Sequence, residues 1–156
     1  MDLVLATRNQ GKVEEMRPML AGIGFNLINQ TDTDIPSAVE DGATFVENAL
    51  IKARAVARAT GLACIADDSG LVVQALNGAP GIYSARYAGQ DASDADNNHR
   101  LLEALSEQTN RHAFFFCCMV FLSSAQDPTP LIATARWHGE ILQAPRGDGG
   151  FGYDPL

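Results

Sequence analysis

The chain has 156 residues, of which 46% are hydrophobic and 19% are charged, and its formal net charge is −8. This length predicts a single domain with its own core, and no apolar stretch reaches the roughly 18 residues that cross a membrane. The acidic balance argues against a nucleic-acid polymer as partner, because such binding relies on many Lys and Arg side chains facing phosphates.

The cysteines and the N-terminus predict a cytoplasmic location. Cys64, Cys117 and Cys118 lie in apolar runs, without a Cys-x-x-Cys spacing or an even number for disulfide pairing. No basic segment precedes the first apolar run, so that run is interpreted as a strand and not as a secretion signal. We therefore expect a soluble protein in a reducing compartment, without a membrane partner.

The first predicted unit is a strand over residues 3–6, a polar turn, and a helix with apolar residues at three- and four-residue spacing that ends near Gly22. Such a turn can hold phosphate, because N–H groups and the positive end of the helix dipole point at the ligand. The spacing is not the Walker pattern, so an ordinary strand-to-helix turn is the alternative. The turn consists of Thr7, Arg8, Asn9, Gln10, Gly11 and Lys12.

A second strand is predicted over residues 25–28, followed by a polar loop over residues 31–43. A charged loop of this kind is usually a solvated loop. Its acidic residues are Asp32, Asp34, Glu40 and Asp41.

The next helix has clear end signals. Thr44 is the predicted N-cap, Glu47 completes a capping box, and Gly61 ends the helix. Asn48 and Lys52 are four residues apart and share a helix face, so Lys52 is a candidate for binding phosphate. A surface lysine is the alternative.

An acidic segment near the middle of the chain is the strongest candidate site. The apolar run over residues 62–66 stops at Asp67-Asp68-Ser69-Gly70, and we expect the strand to end there. Neighbouring strand residues point to opposite faces, so both carboxylates can aim the same way only if the strand ends between them. Asp68 is then free to hold a metal or a water at the edge where α/β sheets bind ligands. A solvated acidic turn is the alternative.

The rest of the chain alternates irregular and regular segments. Residues 77–87 contain glycines and a proline that oppose regular structure, and a helix follows over residues 93–106. Residues 113–122 are predicted to form a strand buried on both faces, with an antiparallel partner over residues 131–137. The segment 146–156 is rich in glycine, and an aromatic ring between glycines can stack on a flat ligand.

Five motifs, taken together, resemble the inosine/xanthosine triphosphate pyrophosphatases, which convert dITP, ITP and XTP to the monophosphate and pyrophosphate. They follow the family's order over essentially the whole chain. The motifs are Ala-Thr-Arg-Asn-Gln-Gly-Lys ending at Lys12, Thr44 to Ala49 with Lys52, Asp67 to Gly70, Gly78 to Tyr87, and Gly149 to Pro155.

The resemblance implies one nucleotide pyrophosphatase domain over residues 1–156, with an α/β fold. A mixed central sheet would be flanked by helices, with two lobes and a cleft between them. It further implies Mg²⁺ dependence, a purine nucleoside triphosphate as substrate, and a homodimer.

The family's functional residues carry over to matching positions. Asp68 would be the catalytic base and, with Glu40, a metal ligand, while Ser69 would contact the substrate. The triphosphate would be held by Thr7, Arg8, Asn9, Gln10, Gly11, Lys12 and Lys52, and the base and sugar by Phe151, Gly152, Tyr153 and Asp154.

One departure from the family concerns the end of the chain. Family members usually continue past the Tyr-Asp-Pro motif with a segment whose Ser-His-Arg motif reads the 6-keto group of the purine, whereas this sequence stops at Leu156. Either the sequence is truncated, or the protein lacks part of its base-recognition apparatus, which would favour the second of two alternative functions. One is a pyrophosphatase for modified pyrimidine nucleotides, and the other is a nucleotide-binding module without turnover.

Overall fold

The fold is a five-stranded sheet with helices. A computed structural model describes residues 1–32 and 34–156, and the strand order in the sheet is β2-β1-β3-β4-β5. This architecture confirms the predicted α/β fold with a central sheet. The strands are β1 (Asp2–Leu5), β2 (Asn26–Asn29), β3 (Ala63–Val73), β4 (His112–Leu122) and β5 (Leu131–Glu140), and the helices are α1 (Gln10–Ala21), α2 (Phe45–Thr60) and α3 (Asp94–Ala104).

Strand β1 lies inside the sheet and pairs in parallel with β2 and with β3. Its Val4 is opposite Ile28 on one side and Cys64 on the other. Leu3, Val4 and Leu5 are all at most 1% exposed, as expected for a parallel strand that reads as a continuous apolar run. The end of β1 therefore sets the position of the polar turn at Thr7.

The residues group into two compact units. Unit 1 comprises Met1–Asp68 and Cys118–Thr134, and unit 2 comprises Ser69–Cys117 and Ala135–Leu156. Each unit has its own cluster of buried apolar side chains, and the predicted cleft between two lobes stays a prediction. The cluster of unit 1 contains Leu3, Leu5, Val13, Leu20 and Ile65, and that of unit 2 contains Leu71, Val73, Leu101, Leu105, Ala113, Ile141 and Tyr153.

The ends of the helices follow the capping signals in the sequence. The Thr44 hydroxyl accepts a hydrogen bond from the Glu47 N–H and donates one to the Glu47 carboxylate. Helix α2 ends at Gly61, whose φ of 71° is left-handed and favours glycine. Helix α1 begins after Asn9, whose side chain accepts from the Lys12 N–H. The predicted cap residues of α2 and the predicted end of α1 at Gly22 are confirmed, whereas α1 begins at Gln10, inside the predicted polar turn.

The expected end of a strand at Asp67-Asp68 is wrong. Strand β3 continues through both carboxylates and Gly70 to Val73. Charged residues are tolerated here because each carboxylate has a lysine partner, Lys12 for Asp67 and Lys52 for Asp68, so burial does not leave an unpaired charge. The two carboxylates consequently occupy successive positions of one strand.

The expectation that β4 is buried on both faces is also wrong. Cys118, Val120 and Leu122 are fully buried, whereas the intervening Met119 and Phe121 are only partly buried. This alternation has the period of a strand with one well-covered face.

Strand β5 follows the turn after β4 and forms the end of the strand order. It is longer than the predicted 131–137 and ends at Glu140, before Ile141. All ten of its residues are exposed, including Trp137.

The predicted polar loop over residues 31–43 includes residue 33, which lies outside the described residues. A short 3-10 turn occupies Gln30–Asp32, and residues 34–42 have no regular secondary structure. Among the described residues, none of the helices combines the length and the apolar character needed to cross a membrane.

The turn between β4 and β5 is organised around the carboxylate of Asp127. This carboxylate accepts hydrogen bonds from the Ser123 N–H and hydroxyl, and from the Thr129 N–H. Arg54 of α2 donates to the carbonyl oxygens of Ala125 and Asp127. The backbone bond from Ser123 is the largest of the contributions that lower the pKa of Asp127 to about 2.

The depressed pKa of Asp127 predicts an acid-dependent loss of stability. A carboxyl whose pKa is lower in the folded state stabilises the fold above its unfolded pKa, near 3.8, and loses this contribution as the pH falls towards 2. We expect Asp127→Asn to lower the Tm by several degrees at pH 7 and by progressively less below pH 4. Thermal unfolding between pH 7 and pH 3 measures this, with Asp91→Asn as a surface control. A difference in Tm that stays constant over this range would contradict it.

Candidate active site

Three side chains of unit 1 form a compact charged group. The Lys52 ammonium Nζ lies 3.3 Å from Glu40 Oε2 and 3.3 Å from Asp68 Oδ1. Glu40 comes from the loop before α2, Lys52 from α2 and Asp68 from β3. The two carboxylates predicted to bind a metal are thus brought to one cation.

A second ion pair lies at the neighbouring position of β3. The Lys12 ammonium donates to Asp67 Oδ2 over 2.6 Å, and the Asp67 side chain is only 5% exposed. Lys12 is in the first turn of α1, within the predicted phosphate turn. Because successive strand residues point to opposite faces, Asp67 and Asp68 engage different lysines on different helices.

A buried amide one turn before Lys52 connects α2 to the preceding loop. Asn48 is 1% exposed, and its Oδ1 accepts a hydrogen bond from the Gly42 N–H over 2.9 Å. A Cβ added at Gly42 would lie 2.7 Å from Asn48 Oδ1, so only glycine allows this approach. Asn48 therefore ties the loop that carries Glu40 to the helix that carries Lys52.

Burial has the largest effect on the protonation of Asp68. The Asp68 residue is 8% exposed, and desolvation raises the pKa of its carboxyl above the ordinary value. The Lys52 ammonium opposes this rise, the Glu40 carboxylate adds to it, and the Asn48 amide opposes it. Asp68 Oδ2 is buried and has no hydrogen-bond partner among the described residues. This oxygen is thus an acceptor that the described residues leave unused.

The predicted phosphate turn connects β1 to α1. Thr7 Oγ1 accepts from the Asn9 N–H over 3.2 Å, while the Arg8 guanidinium donates to the Ile35 carbonyl over 2.7 Å. The side chain of Gln10 donates to Glu14 on the same helix. Of the six residues of the turn, Lys12 is the one whose side chain reaches the acidic pair in β3.

The predicted base-binding segment lies in unit 2 and has a defined backbone structure. The Phe151 N–H donates to Asp154 Oδ2 over 3.0 Å, and the Gly152 N–H donates to Asp94 Oδ2 over 2.7 Å. Gly150 has a φ of 79°, and a Cβ there would collide with the Asp154 carboxylate, so the position requires glycine. These bonds hold Phe151 at the surface, where it is 36% exposed.

Tyr153 has a different environment from Phe151. It is 7% exposed, belongs to the buried cluster of unit 2, and its hydroxyl donates to the Ser84 carbonyl over 2.8 Å. Burial is the main cause that raises the pKa of Tyr153 above its ordinary value, followed by Tyr87 and Asp94. Tyr153 therefore anchors the segment 151–154 in the buried cluster of unit 2.

A pocket of about 510 Å³ lies beside this segment within unit 2. Its volume is within the usual range for small-ligand sites. Phe151 and Gly152 line it, together with residues of α3 such as Asp94, Asn98 and His99. Tyr153 and Asp154 are not among its lining residues. The pocket is thus lined by the flat ring of Phe151 and by polar and charged side chains.

The structure therefore brings together some of the predicted site residues within each unit. Glu40, Lys52 and Asp68 meet in unit 1, and Lys12 of α1 pairs with Asp67, the residue before Asp68 in β3. Ser69 follows Asp68 directly in β3 and belongs to unit 2.

Two contributors were missed from sequence. Asn48 was noted for sharing a helix face with Lys52 and as part of a family motif, but its bond to Gly42, in the predicted loop over residues 31–43, was not predicted. Asp94 was not singled out; it lies in the first turn of α3 and accepts a hydrogen bond from the Gly152 N–H. A contact over 58 residues in sequence gives no local signal.

The fold and these residues define a class of protein. It is an α/β protein in which two carboxylates at successive positions of an inner strand each pair with a lysine from a helix. The Ham1 family model matches residues 3–156, and the chain belongs to the Ham1 family. The chain is 54% identical to the dITP/XTP pyrophosphatase of Vibrio cholerae, over 99% of this chain and 78% of that protein. It is 51% identical to the dITP/XTP pyrophosphatase of Escherichia coli K12, over 99% and 79%.

Solved structures of related proteins have the same fold. The HAM1 protein from Coxiella burnetii matches with a TM-score of 0.93 at 47% identity, over 100% of this chain and 80% of that one. The Ham1 protein of Staphylococcus aureus matches with a TM-score of 0.87 at 39% identity, over the same shares. The family resemblance predicted from the motifs is thus confirmed.

Proposed function

We propose that this chain hydrolyses dITP, ITP and XTP to the nucleoside monophosphate and pyrophosphate in a Mg²⁺-dependent reaction. The observation that carries the proposal is the position of Lys52 between Glu40 and Asp68 in a member of the Ham1 family. Relatives more than half identical to the chain are named dITP/XTP pyrophosphatases. The reaction would remove aberrant purine nucleotides from the nucleotide pool.

The donor set at Glu40 and Asp68 fits Mg²⁺. This ion takes oxygen ligands, accepts few carboxylates, and keeps several waters for exchange with substrate phosphates. Asp68 Oδ2 is a buried oxygen without a hydrogen-bond partner among the described residues, and Glu40 supplies a second carboxylate beside the same lysine. When bound there, Mg²⁺ neutralises charge on the phosphates and on the leaving pyrophosphate.

The protein residues have separate tasks in the proposed reaction. Asp68 orients a water and takes its proton as the water oxygen bonds to the α-phosphorus. The bond from the α-phosphorus to the bridging oxygen breaks, and pyrophosphate leaves with the bonding electrons. Lys12 and Lys52 bind phosphate oxygens, and the start of α1 contributes its N–H groups and dipole. The proposed phosphate-binding residues of this turn are Thr7, Arg8, Asn9, Gln10, Gly11 and Lys12.

The segment from Phe151 to Asp154 is proposed to hold the base and sugar, and Ser69 to contact the substrate. Phe151 supports this role because its exposed ring lines a pocket of about 510 Å³. Asp154 and Asp94 fix the backbone that presents the ring.

Removal of the Phe151 ring tests the base site. We expect Phe151→Ala to raise the KM for dITP about tenfold, because stacking of a base on an aromatic ring is worth about 1–3 kcal/mol. Phe151→Trp keeps a flat ring and should retain a KM within about threefold of wild type. Steady-state kinetics at saturating Mg²⁺ measures both. Equal KM values for Phe151→Ala and wild type would remove Phe151 from the proposed site.

A substrate panel tests the function as a whole. The purified chain is incubated with Mg²⁺ and dITP, XTP, dATP, dUTP or methylated dTTP, and pyrophosphate and orthophosphate are measured separately. The proposal predicts pyrophosphate from dITP and XTP in clear preference to dATP. Preferred hydrolysis of the pyrimidine nucleotides would indicate the alternative pyrophosphatase, and binding of ITP without turnover would indicate a non-catalytic module.

We further propose that residues 1–156 act as one nucleotide pyrophosphatase domain, that the chain forms a homodimer, and that it works in the cytoplasm. Family resemblance supports these statements, and the absence of a Cys-x-x-Cys spacing from the sequence supports the last of them. Size-exclusion chromatography with light scattering tests the homodimer, for which the expected mass is twice that of the 16.7 kDa chain.

A further inference from the structure

The Lys52 ammonium lies beside both carboxylates that are proposed to bind Mg²⁺. It lies 3.3 Å from one oxygen of Glu40 and 3.3 Å from one oxygen of Asp68. The side chains of Lys52, Glu40 and Asp68 are 16%, 30% and 11% exposed. Water therefore screens this group of charges less than it screens surface ion pairs.

Without a cation, the two carboxylates would repel each other. The Glu40 carboxylate raises the pKa of Asp68, and the Lys52 ammonium lowers it. Removing one partner from a partly buried group of charges leaves an uncompensated charge and is usually destabilising. Lys52 thus holds the two carboxylates close together.

We infer that Lys52 is an exchangeable counter-ion: it holds Glu40 and Asp68 together in the metal-free protein and leaves that position when Mg²⁺ binds to them. The inference rests on the proposed function, which makes these two carboxylates metal ligands. An ammonium and a divalent cation repel each other strongly when both lie beside the same two carboxylates. The long, flexible lysine side chain can move without a change in the backbone.

The exchange gives Lys52 two successive partners. Before the metal binds, its ammonium pairs with carboxylates, and afterwards it is available to a phosphate oxygen of the nucleotide. Competition with Lys52 lowers the affinity for Mg²⁺ alone, whereas a nucleotide offers the displaced ammonium a new anionic partner. Metal and nucleotide binding are then positively coupled, because each favours the arrangement that the other requires.

Titration calorimetry with Mg²⁺ alone tests this competition. We expect Lys52→Met to bind Mg²⁺ about tenfold more tightly than wild type, because a competing cation has been removed. Arg58→Met is the matched control, since Arg58 is an exposed residue of the same helix and this change removes the same charge. Its affinity for Mg²⁺ should stay within about twofold of wild type.

The possible results separate the inference from the proposed function. If Lys52→Met binds Mg²⁺ no more tightly than Arg58→Met does, the exchange is overturned but the metal site stays in place. Absence of Mg²⁺ binding to all three proteins would overturn the metal site and the exchange together. A lysine with only a structural role would not increase the affinity for the ion when removed.

The wild-type protein provides a second test that does not depend on a variant being folded. The Lys52 side-chain ammonium is followed by NMR in protein labelled at lysine, with Lys52→Arg used to assign its signal. We expect the Lys52 signal to shift on addition of Mg²⁺ without nucleotide, and to shift more than that of Lys12, the other lysine of the sequence, which pairs with Asp67. A Lys52 signal unchanged at Mg²⁺ saturation would overturn the exchange.

Discussion

Replacement of Asp68 by asparagine is expected to lower kcat for pyrophosphate release from dITP by about 10³- to 10⁴-fold. The asparagine amide has a similar shape, and its carbonyl can still accept a hydrogen bond from Lys52. The asparagine side chain has no negative charge to attract a metal ion and cannot take a proton from water. The chemical step is therefore affected much more than the packing of β3.

The matched control for this variant is Asp91→Asn, which makes the same change at an exposed residue. It should keep wild-type kcat and Tm. Thermal unfolding of Asp68→Asn shows whether the fold is retained, and the kinetics are interpreted for the folded variant. A kcat within a few-fold of wild type would exclude Asp68 as the catalytic base.

Replacement of Glu40 by glutamine is expected to raise the Mg²⁺ concentration for half-maximal activity about 100-fold. Glutamine keeps the length of the side chain but removes the charge that attracts the ion. Of the two carboxylates beside Lys52, Asp68 then remains. With one charged ligand lost, Mg²⁺ competes less effectively with the Lys52 ammonium for Asp68. Activity measured over a range of Mg²⁺ concentrations at saturating dITP gives this value.

Asp41→Asn is the control for Glu40→Gln, because it removes the same charge from the adjacent, exposed residue. A general loss of negative potential would weaken Mg²⁺ activation in both variants to the same extent. Similar Mg²⁺ curves for the two variants would show that Glu40 is not a ligand.

Local signals predicted most of the secondary structure. Thr44 and Gly61 marked the ends of α2, and both cap it as expected because their chemistry satisfies backbone groups within a few residues. The apolar run before Asp67 correctly predicted a buried strand. These features depend on neighbours in sequence, so a single chain reveals them.

Features that depend on distant partners could not be predicted in the same way. Strand β3 continues through Asp67 and Asp68 because Lys12, 55 residues away, and Lys52, 16 residues away, pair with the two carboxylates. Read from sequence alone, two adjacent acids in an apolar run indicated a turn. The family motifs pointed to Glu40, Lys52 and Asp68, but their meeting at one ammonium is a result of the tertiary fold.

The tight approach of Gly42 to Asn48 illustrates the same limit. Gly42 follows Glu40-Asp41 in the predicted polar loop, and its N–H donates a hydrogen bond to the buried Asn48 amide oxygen. The requirement for glycine comes from a neighbouring helix and not from a turn of the chain. Substitution patterns at such a position would reveal it, but periodicity and capping rules do not.

Hydrolysis of dITP in ¹⁸O-labelled water most directly tests whether this chain is a Mg²⁺-dependent pyrophosphatase. Attack at the α-phosphorus predicts one ¹⁸O atom in dIMP and unlabelled pyrophosphate, formed only when Mg²⁺ is present. Mass spectrometry of the separated products gives the position of the label. Label in pyrophosphate, release of orthophosphate as the first product, or equal turnover in EDTA would contradict the proposed reaction.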